Sequence, residues 1–163
     1  MIKGIKAVAL GLSLLLANVS VCSAQDMQKG LAAAIKGDYP AALREFRPLA
    51  EKGNAHAQVQ LGEFYQLGYV VARDYKEAVR LYGLAAAQGF ADGQHNLGSM
   101  YFNGNGVIQD NVYAHMWWNI AASSGIASAV KNRDIVAEKM TAADISKAQE
   151  LARECVKKNY RGC

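Results

Sequence analysis

Residues 97 to 110 read LGSMYFNGNGVIQD, and the meaning of the pair Gly104 and Gly106 within them decides the fold. A phosphate-cradling G-x-G-x-x-G requires a preceding β-strand, a helix starting directly after it and a third glycine, because the anion rests on the amides of that helix. Here Gln94, Leu97, Gly98 and Tyr101 precede the glycines at helical spacing, and Gln109 holds the third glycine position. The stretch is therefore not a nucleotide loop. Its skeleton recurs 36 residues upstream as LGEFYQLGYVVARD, from Leu61 to Asp74. Internal repetition of this period marks stacked supersecondary units.

The register continues past the loop. Ala78, Tyr82, Ala85, Ala86, Gly89 and Ala91 are matched by Ala114, Trp118, Ala121, Ala122, Gly125 and Ala127. A half-copy upstream supplies Asp38, Ala42, Phe46, Leu49, Ala50, Gly53 and Ala55. Each repeat reads as two short helices. The first, over 55–67 or 91–103, stops at a glycine suited to the left-handed conformation that closes helices. The second starts at Asp74 or Asp110, whose carboxylates suit the exposed amides of a first turn, and stops at Gly89 or Gly125. Small alanines around one large aromatic let helices approach closely, and such a pair buries its apolar face only by stacking on neighbours.

These residues resemble the Sel-one-like repeat family, a relative of the tetratricopeptide repeats, with the pattern A-x-x-x-L-G-x-x-Y-x-x-G-x-G-V-x-x-D-x-x-x-A-x-x-W/Y-x-x-A-A-x-x-G. The copy from Leu97 to Gly125 follows nearly every position, and the match with its half-copy covers roughly 37–127. The resemblance implies an all-α fold: an α/α superhelical solenoid of about three to four antiparallel helix pairs, with first helices lining a concave face that binds proteins, and no catalytic chemistry. One departure stands out. The upstream copy reads GYVV, with Val70 at the second glycine, so a different path is expected for that loop. Pro48, late in the helix from Asp38, is expected to kink that helix or end it early.

The N-terminus addresses compartment. MIKGIK is basic, Ala7 to Ala17 is apolar, and Cys22 to Ala24 offers a small-residue cleavage site, together reading as a secretory signal peptide over 1–24. The apolar run is shorter than the roughly 20 residues needed to span a bilayer. An uncleaved anchor and lipid attachment at Cys22 are the rival readings, the second disfavoured by Val21 in front of the cysteine. The expected organisation is a signal peptide over 1–24, a solenoid over 25–130 and a helical cap over 131–163, in a periplasmic or secreted protein.

Loss of the leader leaves Cys155 and Cys163, an even count that reads as one disulfide in an exported chain. On one continuous helix their Cα atoms would lie about 12 Å apart, against roughly 5.5 Å for a disulfide. The last helix must therefore end near Asn159 and the tail turn back. Thr141 and Asp144 read as a capping box at its start, and the segment from Ala129 to Cys155 resembles the cap that follows the last repeat in exported bacterial members of the family.

Of the chain's 18 basic residues, Lys3 and Lys6 leave with the signal, giving 16 against 14 acids. That balance is too thin for nucleic-acid binding. Catalytic signals are sparse. Ser128 and Lys131 spell S-x-x-K, a spacing found in penicillin-recognising enzymes, but the accompanying S-x-N and K-T-G elements are missing from the sequence. His56, His95 and His115 show no metal-ligand spacing, and no cofactor is expected. Trp118 takes the core position of its repeat, and Trp117 is expected to pack.

For partner binding, first-helix positions turned away from Gln58, Leu61, Gly62 and Tyr65 are the candidates. They are Gln60, Glu63 and Phe64 in one copy, and Asn96, Ser99, Met100 and Asn103 in the next. Phe102 is expected to line the groove or pack between repeats. The leading reading is an exported scaffold holding an envelope protein or peptide segment on its concave face. The alternatives are a β-lactam-binding or hydrolytic protein using Ser128 and Lys131, and a purely structural self-assembling subunit.

Overall fold

The computed structural model describes residues 24–163. All regular structure among them is helical: α1 (24–35), α2 (Tyr39–Glu51), α3 (Ala55–Leu67), α4 (Tyr75–Ala86), α5 (Ala91–Asn103), α6 (Asn111–Ser123), α7 (Ala127–Ala137) and α8 (Ala142–Lys157). Successive helices pack on one another from α2 to α7, and α8 lies against α6. The expected signal peptide, apart from Ala24, and the Cys22 lipidation site lie outside the described residues. No helix among the described residues is long and apolar enough to cross a membrane.

The repeat is visible in the chemistry of each turn. Asp38, Asp74 and Asp110 cap α2, α4 and α6, accepting from first-turn amides of Ala41, Glu77 and Tyr113. Gly68 and Gly104, at φ 77° and 68°, close α3 and α5 in the left-handed conformation. A second recurring device sits at the start of each first helix. Buried Gln58 donates from Nε2 to the Ala50 carbonyl at the end of α2, and Gln94 does the same to Ala86 at the end of α4. A side-chain amide thus adds a second donor to a helix-end carbonyl that already accepts the Gly53 or Gly89 N–H, and locks each pair to the previous one.

The aromatic of each second helix seats on a glycine of the helix before it. A Cβ on Gly62 would fall 2.7 Å from the Tyr82 ring and one on Gly98 would fall 2.8 Å from the Trp118 ring. Gly30 in α1 stands in the same relation to Phe46. The upstream half-copy is thus a whole helix pair, with α1 as its first helix. Its signature is displaced in sequence because α1 and α2 are joined by a tight turn at residues 36–38 in place of the seven-residue connections that follow α3 and α5.

Two expectations are corrected. The loop holding Val70 follows the same path as its counterpart: Val70 has φ 64° where Gly106 has 74°, and the closing bonds Asp74 N–H to Tyr65 O (2.9 Å) and Asp110 N–H to Tyr101 O (3.0 Å) match. The valine side chain points outward, 53% exposed, so no neighbour forbids it, and the loop's bonds hold it in strain. Pro48 does not end α2, since the helix runs on to Glu51. The proline is exposed, so the Arg44 carbonyl that loses its donor faces water. The division placed at 130/131 falls inside α7, which spans Ala127–Ala137.

At the C-terminus, α8 begins with the Thr141–Asp144 capping box and buries Ala148, Ala152 and Cys155. Asn159 and Tyr160, at φ 50° and 62°, reverse the chain, and Cys163 pairs with Cys155 at a Cα separation of 5.5 Å. Tyr160 then lies over Gly89, tying the tail to the turn between α4 and α5.

Candidate functional site

The first helices α3, α5 and α7 lie side by side and present one polar face. On α3, Gln60 donates to the Glu63 carboxylate at 3.4 Å, and the Asn96 amide of α5 favours the charged form of the same carboxylate. Glu63 is half-buried, and burial raises its pKa above the ordinary glutamate value; the Asn96 bond opposes this, and nearby Asp92 adds to it. No ion pair to Glu63 forms among the described residues. A partly desolvated carboxylate without a cation is costly in a fold that uses it only for itself.

The face continues into α7 through His95. Asn132 Nδ2 lies 3.2 Å from His95 Nε2 and Ser128 Oγ lies 3.3 Å from the same nitrogen, while His95 Nδ1 lies 3.3 Å from Asn96 Oδ1. Ser99 donates to the His95 carbonyl at 3.1 Å and Asn103 to the Ser99 carbonyl at 2.9 Å. Beyond them a cleft of about 260 Å³ opens between α5, α6 and α7, lined by Ser99, Phe102, Asn103, Trp118, Asn132 and Ile135. Trp118 is anchored there by its Nε1–H donating to the His95 carbonyl at 3.1 Å.

Of the partner-binding positions expected from sequence, Gln60, Glu63, Asn96 and Ser99 are partly exposed and Asn103 is exposed on this face. Phe64 and Met100 are not surface residues. They are 4% and 1% exposed, Phe64 packed with Phe46 and Leu49 of α2, and Met100 in the core shared by α4 and α6. The reason is that each first helix is sandwiched between two second helices and needs apolar side chains on both flanks. Phe102 packs on Trp118 at a ring separation of 5.5 Å, with the Lys139 ammonium over its other side.

Lys131 and Ser128 are not joined by a hydrogen bond among the described residues; the serine's side-chain partner is His95. His95 was missed as a site residue because its contacts lie 33 and 37 positions away, in another helix pair. The described residues hold no cluster of three metal-ligating side chains. His115 is buried between α6 and α7 with Nδ1 unpartnered, and burial together with the Arg133 charge lowers its pKa. Trp117 is buried in the core as expected.

Residues 55–90 and 91–126 match the model of the Sel1 repeat, the Sel-one-like unit whose pattern the sequence shows. No curated protein matches the chain. Among solved structures, the chain is similar to a protective antigen of uropathogenic Escherichia coli strains displaying an SLR fold. Identity is 27% over 85% of this chain and 31% of that one, with a TM-score of 0.78. It is also similar to a Sel1 repeat protein from Oxalobacter formigenes, at 30% identity over 65% of this chain and 44% of that one, with a TM-score of 0.62. The chain thus spans under half the length of either. Its two consecutive Sel1 repeats sit at the centre of an all-helical solenoid, a repeat fold that generally serves as a protein-interaction scaffold.

Proposed function

We propose that this chain is an exported scaffold that holds a segment of a partner protein against the face of α3, α5 and α7. The observation that carries the reading is Glu63: a half-buried carboxylate with Asp92 near it and no ion-pair partner among the described residues. A lysine or arginine side chain of a bound segment would neutralise it, while Gln60, Asn96, Ser99 and Asn103 supply donors and acceptors for an extended backbone. Export is supported by the basic and apolar leader and by the Cys155–Cys163 disulfide, since such bonds persist in oxidising compartments such as the periplasm. The envelope is therefore where the partner is to be sought, and the protein carries out no chemistry on it.

Affinity capture from envelope extract tests this, with residues 25–163 as bait beside a variant carrying Glu63→Lys and Asn103→Ala. A partner retained by the native face and lost from the variant, at equal melting temperature, supports the reading. Equal retention by both removes the face from the account.

A further inference from the structure

The hydrogen-bond chain across this face fixes more than shape. Asn132 Nδ2 can only donate, so the His95 Nε2 it approaches at 3.2 Å is the unprotonated nitrogen of the ring. The proton then sits on Nδ1, which donates to Asn96 Oδ1 at 3.3 Å. Ser128 Oγ–H, 3.3 Å from the same Nε2, shares that nitrogen's one lone pair with Asn132. Ser128 and Asn132 of α7 and Asn96 of α5 thus surround a histidine whose Nε2 faces a serine hydroxyl, with an amide oxygen in the orienting position.

Ser128 is exposed, at the second position of α7, whose first turn has no side-chain cap. The amides of Ala127 and Ser128 there are donors of the kind that stabilise a developing oxyanion. One turn further along α7, Asn132 borders the 260 Å³ cleft whose apolar walls are Phe102, Trp118 and Ile135. That cleft is of a size for a small aromatic or branched aliphatic group.

We infer that Ser128 is a nucleophile activated by His95 as general base, accepting acyl groups from esters with a small apolar acyl portion bound in the Phe102–Trp118–Ile135 cleft. In the first step Ser128 Oγ bonds to the ester carbonyl carbon and its proton passes to His95 Nε2. The carbon–oxygen bond to the leaving group then breaks, and that group departs as an alcohol carrying the same proton. In the second step water, deprotonated by Nε2, adds to the acyl-serine, and the carboxylic acid leaves as Oγ recovers its proton. Asn96 acts as a positioning residue, turning Nδ1 inward. A neutral amide orients the imidazole more weakly than a carboxylate would, so both acylation and deacylation are slow.

The test is labelling of residues 25–163 by an alkyl fluorophosphonate, read as intact mass and then by peptide mapping. Stoichiometric modification at Ser128, lost in Ser128→Ala and slowed at least tenfold in His95→Gln, supports the assignment. Asn96→Leu should slow labelling and Asn96→Asp should restore it, a pattern that a merely structural asparagine does not give. Absence of labelling in the native protein, or modification that persists in Ser128→Ala, overturns the proposal. So does a His95→Gln variant that folds with native circular dichroism and labels at the native rate. None of these outcomes depends on whether a partner protein binds the face.

Discussion

Replacement of Gly98 by alanine probes the contact on which the repeat geometry rests. The added methyl would stand 2.8 Å from Trp118 Cδ1 and 2.9 Å from Nε1, where non-bonded heavy atoms settle at about 3.5–4.0 Å. The indole cannot easily retreat. It is 3% exposed, packs on Phe102 and is tied to the His95 carbonyl. Overpacking of this kind costs about 1–3 kcal/mol, and loss of the indole hydrogen bond adds about 1 kcal/mol. The gain in helix propensity from glycine to alanine returns about 1 kcal/mol. The net expectation is destabilisation by about 2 kcal/mol, or a fall of about 6–8 °C in Tm. Gly83, inside α4, is the internal control, since nothing lies within 4 Å of the position its Cβ would take. Gly83→Ala should therefore raise Tm by about 3 °C through propensity alone. Thermal unfolding by far-ultraviolet circular dichroism measures both. A Gly98→Ala protein melting at or above the native temperature would refute the close-packing account.

Val70→Gly should stabilise the fold by about 1 kcal/mol, because the left-handed conformation penalises a β-branched residue by roughly 1–2 kcal/mol and glycine gives back part of that as entropy. Gly106→Val should have the opposite sign and a larger size, since its Cβ would run into the Tyr75 backbone. Urea unfolding of both reports the contrast. Cys155→Ser combined with Cys163→Ser should lower stability by about 2–3 kcal/mol on the chain-entropy estimate for so short a loop, read in the same titration. Glu63→Gln should stabilise the free protein at neutral pH. The raised pKa of Glu63 means the folded state holds its proton more tightly than the unfolded state does. Its contribution is thus fully present below the unfolded pKa and lost as pH rises through the folded one. The advantage of the variant over the native protein should grow across that window, and equal stability at all pH values would show the carboxylate to be well solvated.

Much of the fold was legible because the same side chains recur 36 residues apart with the same task. Asp74 and Asp110 cap, Gly68 and Gly104 close, and Tyr82 and Trp118 fill the gap over a glycine. The first pair was only half legible because its tight connection displaces Gly30 from the period while leaving it under Phe46. Val70 misled because a side chain that disfavours a conformation was read as preventing it; the loop's closing hydrogen bonds outweigh that cost. At the candidate site, Gln60, Glu63, Asn96, Ser99 and Asn103 followed from helical spacing alone. Phe64 and Met100 did not, since spacing on one helix says nothing of the second neighbour that covers its other flank. The contact of His95 with Ser128 and Asn132 depends on how far α7 leans over α5, which no local pattern encodes.

The most direct test of the central claim is site-specific photo-crosslinking in the envelope, with a photoreactive phenylalanine analogue placed at Gln60, at Asn103 or at the control position Arg44 on α2. A partner adduct of one mass from Gln60 and Asn103, with none from Arg44, is the predicted result. Adducts from Arg44 alone, or none from either first-helix position, would contradict the assignment of the α3, α5 and α7 face as the surface through which this protein works.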